Sequence, residues 1–250
     1  MKLYILGSGC ALPSPRRGSP GLALIVEEEL ILIDTGSGSL RMLGRLALPL
    51  ASLRFLIYSH FHPDHIADLV PLLFALRTGV FSISTLTVIG PPGLPELWQG
   101  LREIYKELIV PKGVGIRLIE AERGELSFDN FSLKISPVLH TDSSLAYRFT
   151  DKRGKSLVYS GDTDYCEAIV SLAKEADLLV LECSFPEGKK EPGHLTPTLA
   201  GRIAREASAK VLLLTHFYPV VDRSPILREV KREFSREVIL AEDGMVVPIL

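Results

Sequence analysis

Short apolar runs, each broken by glycine, proline or charged residues, recur along the 250-residue chain. KLYIL (2–6), ALIV (23–26) and LILID (30–34) come first, and the acidic EEE joining the last two predicts a hairpin. RFLIY (54–58) predicts a further strand. After it, IADLVPLLFALR places apolar residues at 66, 69, 70, 73 and 76, the spacing of one helix face. LTVIG (86–90) is the next strand, followed by a helix from Leu94 to about Ile109. RLIE, SLKIS, LAYRF and SLVYS, between 117 and 160, make a strand-dense stretch. Beyond it the pattern alternates: helix over 164–175, strand LLVLE (178–182), helix over 197–207, strand KVLLLTH (210–216), helix over 224–234, then strands VIL and MVVPI. Strands outnumber helices, yet both are spread over the whole length, so an α/β sandwich of sheets covered by helices is expected. With no linker, low-complexity tract or repeat visible, residues 1–250 are expected to form a single domain.

Composition narrows the picture. A hydrophobic content of 46% supports a substantial core, while a net charge of −2 without any long run of like charge supplies no basic footprint for nucleic acid. The three cysteines, Cys10, Cys166 and Cys183, are odd in number and lack C-x-x-C spacing, which disfavours a disulfide framework or a thiolate zinc knuckle and suits a reducing, cytoplasmic setting. MKLYILGSGC is too short in apolar residues for a signal peptide, and GSGC reads as turn glycines that give Cys10 no role. The longest apolar run, Leu69 to Leu76, contains Pro71 and falls well short of the roughly 20 residues a membrane span needs.

The chemistry concentrates in SHFHPDHIADL (59–69). Three of the chain's six histidines, His60, His62 and His65, stand there with Asp64, between a predicted strand and a predicted helix. In extended backbone alternate side chains share a side, so His60 and His62 can hold one cation; Asp64 and His65, past Pro63 at the helix start, are displaced enough to hold a second. Imidazole with carboxylate suits Zn²⁺, Mn²⁺ or Fe better than Ca²⁺ or Mg²⁺. Further candidates follow apolar strands: His140 after SLKISPVL, Asp162 after SLVYSG, where a carboxylate could bridge two cations, and His216 after KVLLLT. Singly, a histidine is usually a hydrogen-bonded structural residue and an aspartate after glycine a turn or cap. Their shared position at strand ends is what carries the argument.

The pattern His60-x-His62-x-Asp64-His65, then His140, Asp162 and His216, resembles the metallo-β-lactamase superfamily over essentially the whole chain. The resemblance implies an αββα sandwich, two mixed sheets flanked by helices. It implies two divalent metal ions, with zinc foremost and manganese or iron as alternatives: His60, His62 and His140 on one, Asp64, His65 and His216 on the other, and Asp162 bridging. Asp34 in LILIDTG matches an aspartate that supports the histidine loop. HFHPDHIADL, GPPGL, KEADLLVLECSF and GHLTPTLAGRIAREASAKVLLLTHF are similar, segment by segment, to ribonuclease Z and its phosphodiesterase relatives. By that likeness His194 in GHLTP acts near the scissile phosphate, Glu182 orients it, and Asp64 orients the attacking hydroxide besides binding metal.

Two departures shape the substrate expectation. The tRNA-processing members carry a Pro-x-Lys-x-Arg-Asn loop, whereas PSPRRG keeps Pro13 and Arg17 but has Pro15 for the lysine and Gly18 for the asparagine. Those members also project a long tRNA-binding arm between the third and fourth metal motifs, where this chain has only residues 141–161. The favoured reading is therefore a metal-dependent hydrolase of small or cyclic phosphodiesters, nucleotides or short RNA. Arg16, Arg17, Lys152, Arg153 and Lys155 are the cations that could form a basic surface in place of the arm. A tRNA 3′-processing endoribonuclease is the first alternative. A carbon-ester, thioester or lactam hydrolase is the second, and a non-catalytic metal-binding protein the last. Related enzymes suggest a homodimer.

Overall fold

The structure is a computed structural model and describes residues 1–81 and 83–250. Two seven-stranded sheets face one another. The first is built from β1 (Lys2–Gly7), β2 (Gly21–Val26), β3 (Glu29–Thr35), β4 (Leu53–Ile57), β5 (Thr85–Gly90) and β6 (Gly115–Glu120). The second holds β7 (Gly124–Ser127), β8 (Phe131–Pro137), β9 (Leu145–Asp151), β10 (Ser156–Tyr159), β11 (Leu178–Glu182), β12 (Val211–Thr215) and β13 (Glu237–Leu240). A last strand, β14 (Val246–Pro248), returns to pair with β1. The sheet orders are β14-β1-β2-β3-β4-β5-β6 and β13-β12-β11-β10-β9-β8-β7. In each, one half is antiparallel and the other parallel, so the two sheets repeat one pairing scheme that no sequence repeat announces.

Strand β3 shows why the runs are apolar throughout. Ile31 and Ile33 enter the core between the sheets, while Leu30 and Leu32 face a second core under the helices. A strand buried on both faces has no polar side to show. The helices are α1 (Ser39–Arg45), α2 (Pro63–Ile66), α3 (Leu69–Arg77), α4 (Leu94–Tyr105), α5 (Glu167–Leu172), α6 (Pro197–Glu206) and α7 (Ile226–Val230). Helices α1, α3 and α4 pack on the first sheet, α5 to α7 on the second. Among the described residues no helix is long and apolar enough to cross a membrane.

Several helices are shorter than their periodicity predicts, for reasons tied to the site. The helix expected over 66–77 is split, because Asp68 turns its carboxylate to the N–H groups of Gly38 (3.1 Å) and Leu40 (2.8 Å) at the start of α1. The helix expected to run to Ile109 ends at Tyr105, where Lys106 adopts φ 51° and a 3₁₀ turn follows. The helix expected over 164–175 covers only Glu167–Leu172, and Asp164 N bonds the Leu139 carbonyl (2.7 Å) instead of entering it. Pro225 precedes α7, which stops at Val230 rather than 234. Strand β7 escaped the sequence reading because GELS is an edge strand of mostly exposed residues with no apolar run.

The parallel halves align the carboxyl ends of β3 and β4 in one sheet with those of β10, β11 and β12 in the other, and ligands gather at such ends. Cross-sheet bonds fix the relation: Leu145 N donates to the Ser59 carbonyl (2.9 Å), and the Tyr147 hydroxyl to the Tyr58 carbonyl (2.7 Å).

Candidate metal centre

The chain leaves β4 extended, so Ser59 and His60 come off the strand end, and Pro63, at the first helical position, starts the one-turn α2 that carries Asp64 and His65. Gly36 lets the DTG turn after β3 pack on this loop: a Cβ there would lie 2.1 Å from the Asp64 carbonyl oxygen. Gly161 does the same for the second sheet. With φ 59° and a would-be Cβ 2.6 Å from Ser59 Cβ, it brings the loop bearing Asp162 down onto Ser59. Asp162 and His140 stand three residues beyond β10 and β8, not at the strand ends themselves, whereas His216 follows β12 directly.

The structure brings all seven sequence-predicted ligands to one place, in two adjoining sets. His60, His62, His140 and Asp162 each offer a ligand atom within 4.8 Å of the others, and Asp64, His65 and His216 do likewise. Asp162 lies between them: Oδ1 is 3.4 Å from His65 Nε2, and Oδ2 is 3.5, 3.7 and 3.9 Å from Nε2 of His216, His140 and His60.

The hydrogen bonds behind the rings decide which nitrogens are free. His65 Nδ1 donates to Asp34 Oδ2 (2.8 Å), His60 Nδ1 to Ser59 Oγ (3.0 Å), His140 Nδ1 to the Gly193 carbonyl (3.0 Å) and His216 Nδ1 to Ser184 Oγ (2.9 Å). In each ring that is neutral, Nε2 is then a bare lone pair, and all four Nε2 atoms aim at the cluster. His60 Nε2, His65 Nε2, His216 Nε2 and Asp162 Oδ1 are buried without any hydrogen-bond partner. Leaving one such atom unpaired costs about 1–3 kcal/mol, so four converging atoms call for a common partner. His62 Nδ1 and His140 Nε2 lie 3.1 Å apart, close to the spacing of two imidazoles sharing a cation at about 2.0–2.1 Å. The donor set fits divalent metal.

Electrostatics agree with this reading at His60, Asp162 and Asp64, while at His65 the two flanking carboxylates favour the charged ring. Burial and the neighbouring His65 push the pKa of His60 down to about 2, so its ring is neutral. Burial raises the Asp162 carboxyl, but His216 and His65 outweigh it and hold the group well below its ordinary value. Burial disfavours charge on His65, yet Asp162 and Asp34, on opposite sides of the ring, raise its pKa well above the usual value. At Asp64 burial is likewise overcome by the contact with His216 and by His65, and the carboxyl stays low. An ionised carboxylate ringed by imidazoles remains.

Asp34 is the support under both sets. It has φ 50°, and it accepts from Ser59 N (2.8 Å), Ser59 Oγ (2.7 Å), His65 Nδ1 (2.8 Å) and the Tyr159 hydroxyl (2.7 Å). His216 has φ 57°, a second non-glycine residue in the left-handed region; such strain persists where surroundings over-determine it. At the edge of the cluster His194 Nδ1 meets Glu182 Oε1 at 2.8 Å, with its ring 4.8 Å from that of His140 and 6.0 Å from that of His216. Burial works against charge on His194, but the Glu182 hydrogen bond and charge prevail and raise its pKa. Sequence reasoning missed Ser59, Tyr159 and Ser184. Ser184 Oγ accepts from His216 and donates to Glu182 Oε2, tying the two together.

Residues 29–217 match the beta-lactamase superfamily domain. The probable metallo-hydrolase YhfI of Bacillus subtilis is 32% identical over 98% of this chain and 99% of its own. The YhfI crystal structure overlays with a TM-score of 0.85 at 31% identity, covering 98% of each chain. Human tRNase Z, short form, overlays at 0.80 with 28% identity over the whole of both chains. Ribonuclease Z of Methanothermobacter thermautotrophicus is 25% identical over 302 aligned residues, covering 100% of this chain and 97% of its own. Full-length agreement of this kind, on top of the seven converging ligand atoms, has one reading: the chain belongs to the beta-lactamase superfamily, among the metal-dependent hydrolases related to ribonuclease Z.

Proposed function

We propose that this chain is a single-domain, dinuclear phosphodiesterase, with zinc as its metal, acting on small or cyclic phosphodiesters or short RNA. The observation that carries the reading is the His194–Glu182 pair set against the ligand cluster. His60, His62 and His140 would hold one cation, Asp64, His65 and His216 the other, with Asp162 between. When bound, the two cations supply Lewis acidity at phosphoryl oxygens and lower the pKa of a water in the site. Asp64 presents an ionised carboxylate to orient that water. His194 keeps its Nδ1–H on Glu182 and carries a second proton at Nε2, which it can donate to the departing oxygen or use to neutralise charge on the phosphorane.

Substrate size follows from the surroundings. Where tRNA-processing relatives extend an arm, β9 passes to β10 through a tight turn closed by Gly154 N to the Asp151 carbonyl (2.9 Å) and Asp151 N to the Lys155 carbonyl (2.9 Å). The 302 aligned positions with the archaeal enzyme, against 250 residues here, agree that stretches of that enzyme have no counterpart. Holding a tRNA takes several Lys and Arg contacts to phosphates. Arg17, Arg153 and Lys155 are instead paired with Asp222 (3.1 Å), Asp151 (3.2 Å) and Asp177 (3.6 Å). Phe185 and Tyr218 stack on one another beside His194, with centroids 4.7 Å apart, and offer an aromatic edge to a nucleobase. Three free cysteines suit the cytoplasm.

The test compares kcat/KM for 2′,3′- and 3′,5′-cyclic nucleotides with kcat/KM for a 3′-extended precursor tRNA, at matched metal and salt. Faster turnover of a cyclic phosphodiester is expected. Efficient cleavage at the discriminator position with negligible cyclic turnover would make this chain a tRNA 3′-processing enzyme, the reading its likeness to human tRNase Z favours. Elemental analysis of protein purified without chelator should approach two equivalents, chiefly zinc.

A further inference from the structure

Arg17 stands in PSPRRG, the segment whose sequence suggested a substrate contact, yet its side chain is only 16% exposed. Its guanidinium is committed on every side. Nη1 donates to Ser8 Oγ (2.8 Å) and to the Ala241 carbonyl (2.7 Å), while Nη2 and Nε donate to Asp222 Oδ1 (3.1 and 3.3 Å). One face lies 4.4 Å over the ring of Phe217. A planar fork with a stacking face is what only arginine supplies.

The bonds around it join three loops. The Ser8 carbonyl accepts from Phe217 N (2.9 Å), so the loop after β1 holds the turn after β12. Asp243, in the loop after β13, accepts from Ser8 N and Oγ on Oδ1 (2.9 and 2.8 Å) and from Gly18 N on Oδ2 (2.6 Å). Arg17 closes the set by bonding Ser8, Ala241 and Asp222 at once. The residue immediately before Phe217 is His216, whose backbone sits in the left-handed region and whose Nε2 is 3.6 Å from Asp64 Oδ2.

We propose that Arg17 is a positioning residue for His216: by clamping the strained turn after β12 it sets the Asp64, His65 and His216 pocket, and it does not contact substrate. The proposal rests on the reading of His216 as a metal ligand. Arg17 reaches the site through Phe217, the neighbour of His216, and none of its hydrogen bonds leads to His60, His62 or His140, so its influence should be confined to one pocket.

The experiment titrates metal-stripped protein with Co²⁺, following visible absorption and bound metal, with His216→Ala and His140→Ala as markers for the two pockets. In Arg17→Ala the affinity of the pocket marked by His216→Ala should fall about 10- to 100-fold, the range for losing a residue that orients a ligand, while the other pocket is unchanged. Arg17→Lys keeps the charge without the fork and should not restore it; Asp222→Asn should shift the same pocket less. At saturating metal, KM for a phosphodiester should match the parent. Equal weakening of both pockets, no weakening, or a raised KM at full occupancy overturns the clamp. If His216→Ala leaves both phases in place, the ligand reading itself fails and takes the clamp with it. Should Arg17→Ala not fold, Arg17→Lys and Asp222→Asn decide by the same criteria.

Discussion

The two candidate metal pockets share Asp162 but are built to different standards. In the pocket of His60, His62 and His140, His60 is buried and anchored through Ser59 to Asp34, but His62 is exposed and His140 is steadied by a single bond to the Gly193 carbonyl. In the pocket of Asp64, His65 and His216, both imidazoles are buried, one bonded to Asp34 and the other, through Ser184, to Glu182. Outer partners of this kind hold ring orientation and raise ligand basicity. If both hold metal as proposed, the more open pocket should exchange its ion more readily than the buried one.

The largest effect is expected where the pockets meet. Among the described residues, Asp162 is the only carboxylate within 4.0 Å of imidazoles of both sets, and Asp162→Ala would leave two dications to repel one another. Both pockets should empty together, and phosphodiester turnover should fall beyond the roughly 10²–10³-fold that one lost preorganised donor costs. Retention of one full equivalent of metal would show that the pockets are independent and that Asp162 does not bridge.

His194→Ala should come next, cutting turnover by roughly 10²-fold while leaving both equivalents bound. Its ring lies beside both pockets, and His194, Asp162 and His216 each offer a ligand atom within 4.8 Å of the others and could form a third metal-holding group, so metal content is the informative readout. A drop in metal parallel to activity would make His194 a ligand, and the division into two pockets would have to be redrawn.

How far these features could be read from the chain differs between the pockets too. His60 to His65 are legible because three histidines and an aspartate stand in one short loop, and the strand runs before His140, Asp162 and His216 point to where those residues end up. Asp34, Glu182 and His194 needed the family likeness, since nothing in their local sequence separates them from a cap or a loop residue. The supports were not legible at all. Ser59, Tyr159, Ser184 and Arg17 act through partners brought close only by the packing of two sheets, as Tyr159 reaches Asp34 and Arg17 reaches Asp222. Periodicity reports which face of an element is buried, not which hydroxyl lies behind which ring. The same limit hid the breaks in the helices, where the backbone N–H groups of Asp68 and Asp164 bond the Thr35 and Leu139 carbonyls near the site.

The smallest expected effects give the sharpest contrast, because two serines play the same part behind different pockets. Ser59 Oγ accepts from His60 Nδ1 and donates to Asp34, and Ser184 Oγ accepts from His216 Nδ1 and donates to Glu182. Each alanine substitution removes one hydroxyl from a buried chain of hydrogen bonds and leaves the imidazole in place but free to rotate. Ser59→Ala should therefore weaken Co²⁺ binding in the pocket of His60 by about 10-fold, the low end for an outer partner, and Ser184→Ala should do the same in the pocket of His216. Measured on one titration scale, the two variants should move opposite phases of the curve. If both move the same phase, the serines are packing residues whose loss loosens the site as a whole, and the separation of an open pocket from an anchored one does not hold.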